Sequence, residues 1–313
     1  MKTCNKLAAV VVTYNRKELL TECLEALQSQ QGASTDILVV DNASTDGTRE
    51  LVRSYVKKSD NIGYIRLSRN IGGAGGFSGG IREAVRRGYK YIWIMDDDTI
   101  ARKNALAELM SAANRLNGDF AYLSSRAVWL DGSDCLMNEQ KLCGSRFIES
   151  YRYMDEGIIP IKSATFVSLF INRDAVVQEG LPYKQYFIWG DDKEYTLRLS
   201  KTRKAYRVNK SQVLHKMQTN NGSNVISDDE ERISRYRYAY RNDLATARKC
   251  GVQSVLNYYV VFVRTIIRIL QSQYPQKLKR IKTMIRGMSE GILFHPEVEY
   301  ITDTQYMKKE NDR

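Results

Sequence analysis

Tyr91-Ile92-Trp93-Ile94-Met95-Asp96-Asp97-Asp98 is an apolar run that stops abruptly in three adjacent carboxylates. A continuous apolar run is the signature of a strand buried on both faces of a sheet. Three neighbouring acids repel one another, and a buried strand has no structural use for them. They make sense if a divalent cation sits at the strand end. Asp96 and Asp98 are two apart, so in extended chain they would point the same way. Hard oxygen ligands suit magnesium or manganese, which usually bridge to phosphates. A bare Asp-x-Asp is also an ordinary solvated turn. The weight therefore rests on what surrounds it.

Working outward, the first half of the chain alternates strand and helix. Leu7–Thr13 is apolar throughout, and residues 17–30 carry Leu20, Leu24 and Leu27 at helical spacing. A second buried strand over 36–40 ends in Asp41. Ser44-Thr45-Asp46-Gly47-Thr48 opens a helix to residue 56, with Ser44 or Thr45 as its cap. A short strand over 63–67 follows, then a Gly-rich loop over 70–76 leading into a helix over 77–87. The strand over 90–95 carries the acids, and a helix over 104–116 and a strand over 120–124 come next. This is the α/β class, with a mainly parallel sheet flanked by helices on both faces. Ligands bind such sheets outside the carboxyl ends of the strands. Asn15, Asp41, Asn70 and Asp96 all follow predicted strands, so they should converge on one crevice.

Beyond residue 124 the pattern loosens, and 125–162 reads as an insertion over the site. A strand over 164–171, a helix from 191 to 200 and a short strand over 205–208 follow. From residue 227 the chain turns helical, with a stripe of Tyr236, Tyr240, Leu244 and Ala247 and further helices near 252–271 and 276–291. This divides the chain into a catalytic domain over 1–226 and a basic helical C-terminal segment over 227–313.

The net charge is +12, and residues 232–286 carry all of it, with 13 Lys or Arg against Asp243 alone. Lys277, Lys279, Arg280 and Lys282 are part of this surface, which suits an anionic partner such as a membrane. No stretch reads as a membrane span: the best, 255–270, is short and holds Arg264 and Arg268. The five Cys show no Cys-x-x-Cys spacing, so neither a zinc site nor a disulfide framework is indicated. The odd count and the lack of a secretory signal fit a reducing cytosol. No recognised nucleic-acid motif is present.

Four further motifs carry chemistry. Val10-Val11-Val12-Thr13-Tyr14-Asn15-Arg16 puts small polar groups and a cation after a strand, which suits a nucleotide phosphate or base edge. Val39-Val40-Asp41-Asn42-Ala43-Ser44-Thr45-Asp46-Gly47 offers a carboxylate that can accept the imide N–H of uracil or thymine. Asn70-Ile71-Gly72-Gly73-Ala74-Gly75-Gly76-Phe77 allows close backbone approach and leads into a helix N-terminus that favours anions. It is neither a dinucleotide fingerprint nor a P-loop. Ile188-Trp189-Gly190-Asp191-Asp192-Lys193-Glu194 reads blandly as N-terminal helix acids. It also reads as a sugar shelf beside a base, since Trp stacks on sugar faces and a carboxylate accepts a hydroxyl proton. His215 follows a predicted strand, where a neutral imidazole is a good manganese ligand. His295 precedes Pro296 and looks like a surface loop.

Together, and in this order, these elements resemble the inverting glycosyltransferases of family 2, which have a GT-A fold. The resemblance covers about residues 7–216. The Asp triplet, the Gly-Gly-Ala-Gly-Gly-Phe run and the Trp-Gly-Asp-Asp cluster look most like the galactofuranosyltransferase branch, with rhamnosyltransferases as close relatives. Gly190, between the Trp and the acid pair, departs from that pattern. The resemblance implies a nucleotide-sugar site of Thr13, Asn15, Arg16, Asp41, Asn70, Gly73, Asp96 and Asp97, with Asp41 reading the pyrimidine. It implies Mn2+ or Mg2+ on Asp96, Asp98 and His215. Asp192 looks like the catalytic base, supported by Asp191, with Trp189 and Glu194 as a shelf for acceptor and sugar. The expected donor is UDP-galactofuranose, or dTDP-rhamnose as the alternative. The expected acceptor is a polyprenyl-diphosphate-linked glycan at the inner face of the plasma membrane, and a homo-oligomer is left open. Two readings from other classes compete, a nucleotidyltransferase and a catalytically dead binding module. The first would want Arg and Lys in a Gly-rich motif after the first strand, which Thr13-Tyr14-Asn15 does not supply. The second would be favoured by loss of Asp96, Asp98 or Asp192, and all three are present.

Overall fold

The computed structural model describes residues 7–138, 140–143 and 152–301. β1 (Leu7–Thr13), β2 (Asp36–Asp41), β3 (Ile62–Arg66) and β4 (Tyr91–Asp96) form a parallel block in the order β3-β2-β1-β4. The register sets Thr13 beside Asp41, Val12 beside Asp96 and Asp41 beside Arg66. The carboxyl ends of these strands are therefore level, which places the expected site residues along one edge.

The period of two along β1 explains why the whole run is apolar. Leu7, Ala9 and Val11 enter a core shared with α1 (Lys17–Gln28), α2 (Thr48–Lys58) and α4 (Ala105–Arg115), through Leu20, Leu24, Val52, Leu106 and Leu109. Ala8, Val10 and Val12 enter a second core with Phe77, Ile81 and Ala84 of α3 (Gly72–Arg86) and with Tyr195 and Leu199 of α6 (Asp191–Thr202).

Past β4 the sheet becomes mixed. β5 (Thr99–Ala101), β6 (Tyr122–Val128), β7 (Lys141–Leu142), β8 (Ile158–Ser163), β9 (Leu169–Asn172) and β10 (Ala205–His215) complete ten strands among the described residues. β9 inserts antiparallel between β4 and β6, whereas β10 runs parallel to β6. The single strand expected over 164–171 is instead a 3-10 turn, Phe166–Ser168, followed by β9 and then α5 (Arg173–Glu179). The insertion expected over 125–162 falls partly outside the described residues, and its described parts extend the sheet. β10 is far longer than the short strand expected: it runs eleven residues to His215, across a register shift between Val208 and Gln212. His215 therefore ends a strand, paired with Thr99 of β5.

The Gly-rich stretch is also not a loop. α3 begins at Gly72, so most of the run is helical. A Cβ at Gly76 would lie 2.6 Å from Val12 Cγ1, and one at Gly80 would collide with Val10 Cγ1. The helix thus lies too close to β1 for side chains on that face. Gly73 faces open space. Gly80→Ala should accordingly destabilise the fold by about 1–3 kcal/mol through overpacking. Gly73→Ala should be neutral or gain up to ~1 kcal/mol of helix propensity. Urea unfolding curves of the two variants distinguish a packing role from a purely local one.

The C-terminal helices are α7 (Glu230–Ile233), α8 (Tyr236–Cys250), α9 (Val252–Gln271) and α10 (Lys277–Leu293). They enclose a third cluster of Tyr236, Leu244, Tyr258, Phe262, Ile269 and Met284, against which Trp189 packs. Among the described residues, no helix is long and apolar enough to cross a membrane.

Candidate active site

β4 ends at Asp96, and Asp97 and Asp98 lie in the turn before β5. The extended-chain argument for Asp96 and Asp98 therefore does not apply, and the three acids have different partners. Asp97 turns inward, accepting the Thr13 hydroxyl at 2.7 Å and Arg16 Nη1 at 3.3 Å. Asp98 takes Arg16 Nη1 on Oδ2 at 2.8 Å, and its Oδ1 lies 3.3 Å from His215 Nε2. Asp96 is left half-buried at the strand end. Burial, then the charges of Asp98 and Asp97, push its carboxyl up to about 7. Burial also lifts Asp97 to about 6, against the pull of Arg16. For Asp98 burial is outweighed by His215 and Arg16, which hold it below the ordinary carboxylate range.

His215 is oriented by a residue that no motif announced. Its Nδ1 lies 2.8 Å from Oδ1 of buried Asn138, whose Nδ2 donates to the Thr165 hydroxyl at 2.7 Å. With the Nδ1 proton given to Asn138, Nε2 is the atom turned to Asp98. Burial disfavours the imidazolium, but Asp98 and Cys135 overcome it and raise His215 to about 10.

The donor set fits a hard divalent cation. Asp98 Oδ1 is buried without a hydrogen-bond partner beside an imidazole nitrogen, and Asp96 ends the adjacent strand. Among the described residues no three metal-binding side chains are gathered into a finished cage. The guanidinium of Arg16 meanwhile bridges Asp97 and Asp98.

The β1 and β2 ends are knitted together more tightly than expected. Asn15 adopts a left-handed φ of 52°. Its N–H donates to Ser44 Oγ at 3.0 Å, and its Oδ1 accepts the Thr45 N–H at 2.8 Å. Asp46, rather than Ser44 or Thr45, receives the first N–H of α2, from Thr48 at 3.2 Å. Asp41 is 0% exposed. Its Oδ1 accepts the Ser44 N–H at 2.7 Å and its Oδ2 the Tyr64 hydroxyl at 2.6 Å, with Arg66 Nε at 3.5 Å. Direct reading of a base by Asp41 is corrected by this burial: Tyr64 and Arg66 cover the carboxylate. Asn70 Oδ1 accepts the Gly72 N–H at 2.8 Å, fixing the entry to α3.

The second acid cluster starts α6. Phe187, Trp189 and Gly190 have φ of 67°, 64° and 84°, so the chain enters the helix through a turn that side chains disfavour. Asp191 is buried and Asp192 half-buried. Burial pushes Asp191 well above the usual carboxylate range, and the charges of Asp192 and Asp96 add to it. Asp191 therefore lies within reach of the Asp96 charge, whereas the charges acting on Asp192 are those of Lys193 and Asp243. Burial lifts Asp192 to about 6, against the Lys193 N–H and ammonium. The Lys193 Nζ is itself paired with Asp243 at 2.9 Å.

The shelf reading needs two corrections. Glu194 is buried and forks onto Arg198, with Oε1 accepting Nε at 2.8 Å and Oε2 accepting Nη2 at 3.0 Å. Arg198 also donates to the carbonyls of Glu179 and Leu181. Glu194 thus points into the protein and is unavailable to a sugar. Trp189 remains half-exposed, but its ring packs on Tyr236 of α8 at 4.9 Å, so part of its surface is spent on the helical segment.

The site combines strand-end acids and an imidazole suited to a cation with a raised carboxylate pair at the start of α6, of which Asp191 feels the charge of Asp96. Comparison with known proteins places the chain among glycosyltransferases. The galactofuranosyltransferase GlfT1 of Mycolicibacterium smegmatis is 32% identical over 198 residues, covering 61% of this chain and 64% of its own length. The chain thus spans less than two thirds of that curated relative. Among solved structures, the backbone superposes on Staphylococcus aureus TarS 1-349 in complex with UDP-GlcNAc at a TM-score of 0.56 and 16% identity, covering 90% of this chain and 81% of that one. It superposes on the mannosyltransferase PcManGT of Pyrobaculum calidifontis, in complex with GDP-Man and Mn2+, at 0.55 and 14% identity, covering 92% and 86%. These two likenesses carry the GT-A fold. The sequence profile of glycosyl transferase family 2 matches residues 8–175, more than half of the sequence, and the chain belongs to that family.

Proposed function

We propose that this glycosyltransferase moves galactofuranose from UDP-galactofuranose to a glycan or lipid-linked acceptor, with inversion at the anomeric carbon, in bacterial cell-surface polysaccharide synthesis. The observation that carries the reading is the Asp191–Asp192 pair, raised by burial at the start of α6, with Asp191 near enough to Asp96 to feel its charge. An acceptor hydroxyl attacks the sugar C1 from the side opposite the diphosphate, and Asp192 takes its proton. Burial disfavours the charged form of Asp191, which favours Asp192 as the carrier of the charge of the pair. Asp96, Asp98 and His215 would hold Mn2+ or Mg2+, which when bound neutralises charge on the departing diphosphate. Arg16, released from Asp98, is then free to turn to the phosphates. Thr13 and Asp97 brace the β1 end, and Asn15 and Asn70 shape the loops around the nucleotide. Asp41 supports the base pocket from beneath, through Tyr64 and Arg66. The outward position of Gly73 leaves backbone room at the start of α3.

A donor screen tests this. Hydrolysis of UDP-galactofuranose should exceed that of dTDP-rhamnose, and UDP with manganese should raise the melting temperature where GDP does not. Preference for dTDP-rhamnose would move the assignment to a rhamnosyltransferase, and equal stabilisation by GDP would contradict a pyrimidine pocket.

The same reading includes docking at the inner face of the plasma membrane. On α9, Leu256, Val260, Val263, Ile267 and Leu270 are all exposed, and their four-three spacing lines them on one face. Tyr258, Phe262 and Ile269 on the other face are buried in the third cluster. Arg264, Arg268, Lys282 and Arg286 are exposed on α9 and α10, and Glu290 is the one acid in the two helices. A second positively charged copy would be repelled, whereas anionic lipid complements both the charge and the apolar stripe. Arg280 is not part of this surface: it is buried and donates to the carbonyls of Val225 at 2.8 Å and Pro275 at 3.0 Å. Binding to anionic but not neutral vesicles is expected, weakened by moderate salt because the attraction is screened over ~10 Å at 0.1 M. Charge reversal at Arg264, Arg268 and Lys282 should abolish it. Parental binding by a folded triple variant would refute the docking surface.

A further inference from the structure

The turn that delivers Asp191 and Asp192 is not held by its own neighbours in sequence. Its carbonyls at Tyr186, Ile188 and Trp189 converge on one point, and the Nδ2 of Asn242 fills it, at 3.0, 3.2 and 2.8 Å. Asn242 belongs to α8 and is fully buried. Its own Oδ1 accepts Arg241 Nε at 3.0 Å, which fixes which way the amide faces. Arg241 Nη2 adds bonds to the carbonyls of Gln185 and Tyr186 at 2.9 and 3.0 Å. From the other side, the Ala74 N–H of α3 donates to the Phe187 carbonyl at 3.2 Å. The turn is therefore clamped between α3 and α8.

A buried amide is costly unless its polar groups are used, and here the Nδ2 is spent on this one turn and the Oδ1 on Arg241, which also binds the turn. Phe187 and Trp189 sit in left-handed backbone with no glycine to ease it, so they keep that shape only while something outside holds them. Without the Asn242 donor, the carbonyls of Ile188 and Trp189 lose this bond together, while that of Tyr186 keeps Arg241 and the Ile188 N–H. The chain would relax toward ordinary φ, and the first turn of α6, one residue away, would rotate with it.

We propose that Asn242 is a positioning residue for Asp192, acting from the helical segment to hold the 186–190 turn so that the acid pair faces the crevice. This rests on reading Asp192 as the base. The experiment is a double-mutant cycle in the full chain, measured as manganese-supported hydrolysis of UDP-galactofuranose. Asn242→Ala should lower kcat by about 10²-fold while the donor KM stays within about threefold, because the donor contacts lie on β1, β4 and α3. Asn242→Ser, which keeps a donor hydroxyl, should recover part of the loss and is read in the same way if the alanine variant does not fold. In an Asp192→Asn background, Asn242→Ala should cost less than about threefold further, since the group it aims is already gone. If its full loss multiplies onto that of Asp192→Asn, or appears in KM rather than kcat, the proposal is overturned. Parental turnover in Asp192→Asn alone would instead sink the base reading, and this proposal with it.

Discussion

Asp192→Asn is expected to reduce sugar transfer by about 10²–10⁴-fold, the range for loss of a general base. The substitution keeps the shape of the side chain and removes its ability to take a proton. Donor affinity, measured by calorimetry with UDP and manganese, should be nearly unchanged. Asp192 and Asp191 are adjacent and both raised by burial, so the companion variant matters. A crippled Asp191→Asn with a mild Asp192→Asn would move the base by one position. The pH profile gives an independent check. Burial lifts Asp192 to about 6, and the charged form is the active one. Activity should therefore be full above that value and fall as pH drops through it, roughly tenfold per unit. A profile flat from pH 7 to pH 5 would contradict Asp192 as the base.

Removal of divalent metal is the other large effect. Excess chelator should abolish transfer, and manganese or magnesium should restore it. Asp98→Ala should cost at least ~100-fold, as expected for loss of a key electrostatic group. In this structure Asp98 pairs with Arg16 and His215, so its removal also frees a guanidinium and an imidazole. Asn138→Ala then separates orientation from ligation. It leaves Asp96, Asp98 and His215 in place but removes the acceptor at 2.8 Å from His215 Nδ1. Metal affinity should fall by about 10–100-fold, the usual cost of losing such a partner. Full transfer in chelator would remove the metal from the mechanism altogether.

Some errors of the sequence reading had signals that were present. Glu194 and Arg198 are four apart on a helix, the spacing of an ion pair, so the inward fork could have been anticipated. The Gly-rich run was harder. Glycine is a poor helix former, and local propensity alone reads such a run as a loop. What overrides it is the approach of α3 to Val10 and Val12, visible only once helix and strand are packed.

The sequence by itself determined the family, the alternating architecture, the crevice edge and the two acid clusters. Each of these depends on short-range pattern: continuous apolar runs, helical spacing, and charged residues where a strand stops. Tertiary structure alone decided how the acids divide their work. Asp97 turns to Thr13, Asp98 to Arg16 and His215, and Asp41 disappears beneath Tyr64. It also brought in Asn138 and Asn242, which stand 77 residues from His215 and 53 from Trp189. A buried amide has no periodic signature, because its choice of partner is set by which carbonyls and imidazoles the completed fold leaves without one.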